Sequence, residues 1–169
     1  MSANIVLVGF MGAGKSVVAK NLAAILKREV VSTDQFIEDK EKRPISQIFK
    51  ESGEAYFRQV EKDVVALLSK RKNLIIDCGG GVVINQQNID NLKKEGIVFY
   101  LSTSPEVIYD RVKGQGHRPL LDVPDPLATI KQILSVRQFH YAQANHTIDT
   151  TYRSAQDVVD EILKIIARG

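Results

Sequence analysis

Asn4-Ile5-Val6-Leu7-Val8-Gly9-Phe10-Met11-Gly12-Ala13-Gly14-Lys15-Ser16 is the stretch on which the fold turns. Its first five residues form an apolar run closed by a glycine, the pattern of a strand buried on both faces. Gly9–Ser16 fits G-x-x-x-x-G-K-[ST], and Val17, Val18, Leu22, Ile25 and Leu26 follow at helical spacing. A strand that enters a glycine-rich loop and leaves it as a helix is the context in which this motif holds phosphate. Glycines let the backbone curl so that successive N–H groups face phosphate oxygens. The helix N-terminus favours negative charge at the same point. Lys15 supplies a mobile cation for the β- and γ-phosphates, and Ser16 a hydroxyl ligand for Mg²⁺. The loop therefore predicts nucleoside triphosphate binding and leaves open what is done with the nucleotide.

Outward from this loop, strands alternate with helices. Further strands are expected at Glu29–Val31, Leu74–Ile76, Ile97–Leu101 and His146–Ile148. Helical pattern covers Lys15–Lys27, Gln35–Leu68 with a break near Arg43–Pro44, Asn88–Lys94, Pro105 to Val112, Leu127 to Ala144 and Ser154–Ala167. Ser104 stands as a cap with Pro105 at the first helical position. This alternation predicts an α/β fold, with a mostly parallel sheet covered by helices on both faces. Lys113–Pro126 carries two glycines, three prolines and mixed charges, and reads as a long surface loop of the kind that serves as a mobile lid.

The chain of 169 residues suits a single domain, 1–169. No apolar run is long enough for a membrane span, and the N-terminus lacks the pattern of a secretory signal. A lone Cys78 cannot form an internal disulfide, which fits a reducing cytoplasm. It reads as a buried small residue rather than a nucleophile. The net charge of +3 suits anionic small molecules but is not the concentrated basic face of a nucleic-acid binder. His117, His140 and His146 are too scattered for a metal-ligand set. No uninterrupted apolar face demands a partner, so a monomer is expected.

A guanine-nucleotide switch would use the same loop, but no Asn-Lys-x-Asp segment is present. The short chain, the loop at 113–126 and the scattered arginines favour a small-molecule kinase. Phosphoryl transfer needs cations around the moving group and a lid that excludes water.

Further motifs narrow this. After the phosphate loop come Thr33-Asp34-x-x-Ile37-Glu38 and Gly53-Glu54-x-x-Phe57-Arg58-x-x-Glu61. Then come Gly79-Gly80-Gly81-Val82-Val83, Arg118-Pro119-Leu120-Leu121, Arg137-x-x-x-Tyr141 and Arg153. In this order and spacing, over nearly the whole chain, the sequence resembles the shikimate kinase family. The resemblance implies a P-loop kinase fold of the nucleoside monophosphate kinase type. That is a three-layer α/β/α sandwich with a five-stranded parallel sheet in the order 2-3-1-4-5. It implies ATP and shikimate as substrates, Mg²⁺ as cofactor, and a place in chorismate and aromatic amino-acid biosynthesis.

Residue by residue, the resemblance implies that Gly12, Ala13, Gly14, Lys15, Ser16 and Val17 hold ATP, with Arg111 and Arg153 lining the adenine. Asp34 would bind the acceptor hydroxyls and help deprotonate the attacking one, although its position reads equally as a helix cap. Arg58 and Arg137 would grip the carboxylate, since the planar guanidinium matches it bidentately. Gly79, Gly80 and Gly81 would let backbone approach the substrate, within an acceptor region of about 34–61 and the glycine turn. Arg118 would reach the phosphates from the lid. Glu61 would orient Arg58, and Tyr141 reads equally as a neighbour of the site or an ordinary core tyrosine.

The sequence departs from the family at one point. Asp-x-Asp is usual at the end of the second strand, and here the first position is Ser32. Leu74-Ile75-Ile76-Asp77, an apolar strand ending in aspartate, supplies a carboxylate that the family commonly lacks. Asp77 is thus a candidate for an outer-sphere contact to Mg²⁺, or a structural acceptor for the glycine turn. Two alternatives remain at this stage: a related kinase such as one for gluconate, and a nucleotide-binding regulatory module without turnover.

Overall fold

The computed structural model describes residues 3–115 and 122–169. Its strands are β1 (Asn4–Val8), β2 (Glu29–Ser32), β3 (Leu74–Asp77), β4 (Gly96–Ser102) and β5 (His146–Asp149). They form a five-stranded sheet in the order β2-β3-β1-β4-β5, with every pairing parallel. This is the expected order, and β1 occupies its centre.

Alternation along β1 divides the core between the two faces. Ile5 and Leu7 point to α1 (Lys15–Leu26) and α7 (Ala155–Arg168), packing with Val18, Leu22, Val159 and Ile162. Val6 and Val8 point to the opposite face. There they meet α3 (Ile45–Leu68) and α4 (Gln86–Lys94) through Val64, Leu68, Ile89 and Leu92. A strand buried on both faces has to be apolar throughout, which is why the NIVLV run reads so clearly.

α2 (Thr33–Glu41) follows β2 without a loop, and its cap settles one open reading. The Ser32 hydroxyl accepts the Gln35 N–H at 3.2 Å, so Ser32 is the cap and Asp34 lies in the first turn. The expected break near Arg43–Pro44 is present, with Lys42 left-handed at the end of α2 and Pro44 capping α3. α3 has a second break that the apolar pattern conceals, at Gly53 with φ 81° and ψ 169°. After the glycines a single 3₁₀ turn, Val82–Ile84, leads to α4. α5 (Pro105–Val112) and α6 (Pro126–Tyr141) flank the expected lid. Arg118 lies outside the described residues, with the rest of 116–121. No helix among the described residues is long and apolar enough to cross a membrane.

Candidate active site

The phosphate loop connects the C-terminal end of β1 to the N-terminus of α1. Gly14 caps α1 with φ 90°, a left-handed conformation that costs glycine little and other residues more. No side chain caps this helix end, so its first N–H groups remain for an anion. Lys15 is only 8% exposed. Its ammonium donates to the carbonyls of Gly9 at 2.9 Å and Phe10 at 3.0 Å, holding it inside the curl of the loop.

Ser16 meets Asp77 directly: the hydroxyl donates to the carboxylate at 2.6 Å. Sheet order explains the encounter. β3 lies beside β1 with Leu7 opposite Asp77, and β2 lies beside β3 with Ser32 opposite Asp77. The carboxylate absent at Ser32 is therefore present one strand nearer the phosphate loop. Serine hydroxyl and carboxylate are hard oxygen donors of the kind Mg²⁺ takes, so the residues fit that ion. Among the described residues no cluster of three or more His, Cys, Asp or Glu could hold a metal unaided.

On the other side of the loop, Asp34, Arg58 and Arg137 converge on Gly79–Gly81. The arginines come from α3 and α6, so three separate elements supply the charged groups. Arg137 Nη1 donates to the Gly80 carbonyl at 3.3 Å. A methyl group added to Gly79 would run into the Asp34 carboxylate, and one added to Gly81 would lie 2.6 Å from Arg58 Nη1. At Gly80 the nearest atom would be 3.6 Å away, an ordinary contact. None of the three is among the described positive-φ glycines. Space, rather than dihedral freedom, is what Gly79 and Gly81 provide.

The electrostatics of this cleft follow from burial. Burial raises the pKa of Asp34, and the Asp77 and Glu38 charges add to the rise, while Lys15 and Arg58 oppose it. Glu61, 1% exposed, accepts from Arg58 Nη1 at 2.9 Å and fixes that arginine. Its own pKa is raised by burial against the pull of Arg58. Cys78 is buried, and desolvation pushes its thiol well above its usual value, so it is no nucleophile. Tyr141 is fully buried, and its hydroxyl donates to the Gly80 carbonyl at 2.6 Å. It is both a core tyrosine and a neighbour of the site.

Two cavities meet at the loop. One, of about 300 Å³, is lined by Met11, Lys15, Ser16, Asp34, Asp77 and Gly80. The other, of about 350 Å³, includes Gly12, Ala13, Val17, Arg111, Thr150 and Arg153 in its wall. Arg111 is tied to the carbonyls of Gly12 at 3.0 Å and Thr150 at 3.3 Å. Arg153 is tied to Glu161 at 2.6 Å and to the Asp149 carbonyl at 3.2 Å. A roomier cavity of about 670 Å³ opens between α6 and the ends of β4 and β5, but none of the candidate site residues lines it. Volume is a poorer guide here than convergent charge.

Two contributors had no role assigned from the sequence: Thr33, named only as part of a motif, and Thr150. Thr33 accepts the Gly79 N–H at 2.9 Å and joins β2 to the glycine turn. Thr150 binds Arg111 and bonds Thr103 at 2.6 Å. Both directly follow the C-terminal end of a strand, the position where open α/β sheets place ligands.

A phosphate loop at the centre of a parallel sheet, with a cleft lined by Asp34, Arg58 and Arg137 beside it, is the arrangement of a phosphate-loop kinase. The sequence profile of the shikimate kinase family matches residues 11–167. A shikimate kinase of Symbiobacterium thermophilum is 45% identical over 170 residues, covering 98% of each chain. The shikimate kinase of Acinetobacter baumannii, solved in complex with shikimate, superposes with a TM-score of 0.94 at 38% identity, over 99% of this chain and 94% of that one. The chain belongs to the shikimate kinase family. A gluconokinase from Sinorhizobium meliloti shares the fold alone, with a TM-score of 0.60 at 16% identity.

Proposed function

We propose that this chain transfers the γ-phosphoryl group of ATP to the 3-hydroxyl of shikimate, giving shikimate 3-phosphate and ADP on the route to chorismate. The observation that carries the reading is the convergence of Asp34, Arg58 and Arg137 on one glycine turn beside the phosphate loop. Two arginines suit a carboxylate, and a buried aspartate suits a hydroxyl. In this reading Arg58, held by Glu61, and Arg137 fix the acid, and Gly79–Gly81 admit the ring. Asp34 orients the attacking hydroxyl and takes its proton.

On the nucleotide side, Gly12, Ala13, Gly14 and Val17 surround the phosphates, Arg111 and Arg153 flank the base, and Lys15 follows the transferring group. Arg118, outside the described residues, is assigned to the phosphates by resemblance. Ser16 and, through water, Asp77 would hold Mg²⁺, which when bound neutralises phosphate charge. The Asp77 carboxylate beside Ser16 also counts against a module that has lost turnover. A monomer in the cytoplasm completes the reading, the compartment being the one that a single cysteine without a disulfide partner suits.

The test is ADP release from Mg·ATP with shikimate, with gluconate and with no acceptor. Release dependent on shikimate alone is expected. Equal release with gluconate, or none with any acceptor from protein that binds ATP, would sink the proposal.

The metal assignment has its own test. Asp77→Asn is expected to raise the Mg²⁺ concentration for half-maximal rate by about tenfold or more, the usual scale for an outer-sphere partner. Ser32→Asp in the same chain should recover part of that loss, because Ser32 and Asp77 are opposite each other in register. Aspartate would also serve as the cap of α2. Unchanged Mg²⁺ dependence in Asp77→Asn would remove the role.

A further inference from the structure

We propose that Tyr141 is a positioning residue: it holds the Gly80 carbonyl in place so that Arg137 can leave that carbonyl for the carboxylate of the acceptor. The inference rests on the reading of Arg137 as an acceptor ligand.

The Gly80 carbonyl has two donors of unequal quality. Tyr141 reaches it at 2.6 Å, and Arg137 Nη1 at a long 3.3 Å. The two residues lie one turn apart on α6, so both side chains reach the same carbonyl. Tyr141 cannot easily turn away. It is fully buried, and its ring stacks flat on Tyr100, with centroids 4.6 Å and planes 2° apart. Burial raises its pKa to about 12, so the hydroxyl stays a donor across the neutral range.

Arg137 is the freer partner. A guanidinium gains more from a bidentate carboxylate than from one long bond to a neutral carbonyl. Without Tyr141, its departure would leave the Gly80 carbonyl with no side-chain donor just as the acceptor covers the turn and excludes water. An abandoned carbonyl in a filled site weakens binding by roughly 5- to 100-fold. Tyr141 removes that penalty by keeping its own, shorter bond.

Tyr141→Phe retains the ring and the stack and deletes only the donor. The KM for shikimate should rise about tenfold, with kcat and the KM for ATP within about twofold of wild type. An unchanged shikimate KM in Tyr141→Phe would overturn the inference. So would an equal rise in the KM for ATP, which would mean that Tyr141 shapes the phosphate loop and the glycine turn as a whole. The underlying site reading fails in a different way: wild type would not use shikimate, or Arg137→Ala alone would leave its KM unaltered.

Discussion

Lys15→Ala is expected to lower kcat with Mg·ATP and shikimate by about a thousandfold, the scale set by removing one preorganised cation or donor from a phosphoryl-transfer site. The ammonium lies within the curl of residues 9–16, already desolvated and bonded to the Gly9 and Phe10 carbonyls. A buried charge held in this way costs little reorganisation when the γ-phosphoryl group begins to move, and it acts where water cannot screen it. The loss should therefore fall on kcat more than on the shikimate KM, because the acceptor cleft is built from Arg58, Arg137 and the glycine turn. Removing the ammonium also takes the donor from the Gly9 carbonyl, which costs about 1–3 kcal/mol if it stays unsatisfied, while the Phe10 carbonyl keeps the Ala13 N–H. A melting curve beside the kinetic assay separates that structural loss from the catalytic one. Lys15→Ala that stayed folded and turned over within tenfold of wild type would sink the assignment of Lys15 to the transferring group.

The central part of this architecture was legible because the physics there is local. A strand buried on both faces must be uniformly apolar, and a phosphate loop must place glycines where the backbone turns left-handed, as at Gly14. The encounter of Ser16 with Asp77 was expected only through the strand order that the family resemblance implies, since neighbouring parallel strands end together on one side of the sheet.

Other features depend on tertiary packing and leave no local mark. The break at Gly53 is hidden because the flanking segments are both helical in pattern and meet at one glycine. The reason for Gly79 and Gly81 is the Asp34 and Arg58 side chains opposite them, and these come from α2 and α3, far away in the chain. The cap reading of Asp34 could not be set aside until Ser32 was seen to occupy the cap. Tyr141 looks like any core tyrosine until its hydroxyl is found on Gly80.

Asp34→Asn should lower kcat by about 10²- to 10⁴-fold, the contribution of a positioned general base, while ATP still binds. The amide keeps the size of the carboxylate and can still hydrogen-bond a hydroxyl, so loss of rate with a nearly constant shikimate KM isolates proton acceptance from positioning. The raised pKa makes a second prediction. Wild-type kcat/KM should fall in acid with a limb displaced above the ordinary carboxylate value, because burial holds the Asp34 proton more tightly. That limb should be absent from the residual activity of Asp34→Asn. The same shift has a definite sign for stability. Between the unfolded and the raised folded pKa the folded state binds more proton than the unfolded one, so stability falls as pH rises through that interval. Above the folded pKa the ionised carboxylate destabilises the fold in full, and below the unfolded value, near 3.9, it does not. Asp34→Asn should therefore melt higher than wild type at neutral pH, with the gain shrinking as pH falls through that window. A variant that lost activity but melted lower at pH 7 would show that Asp34 is a stabilising first-turn residue of α2. A variant that gained stability and lost turnover would show that the fold tolerates a costly buried charge at the point where the acceptor must give up its proton.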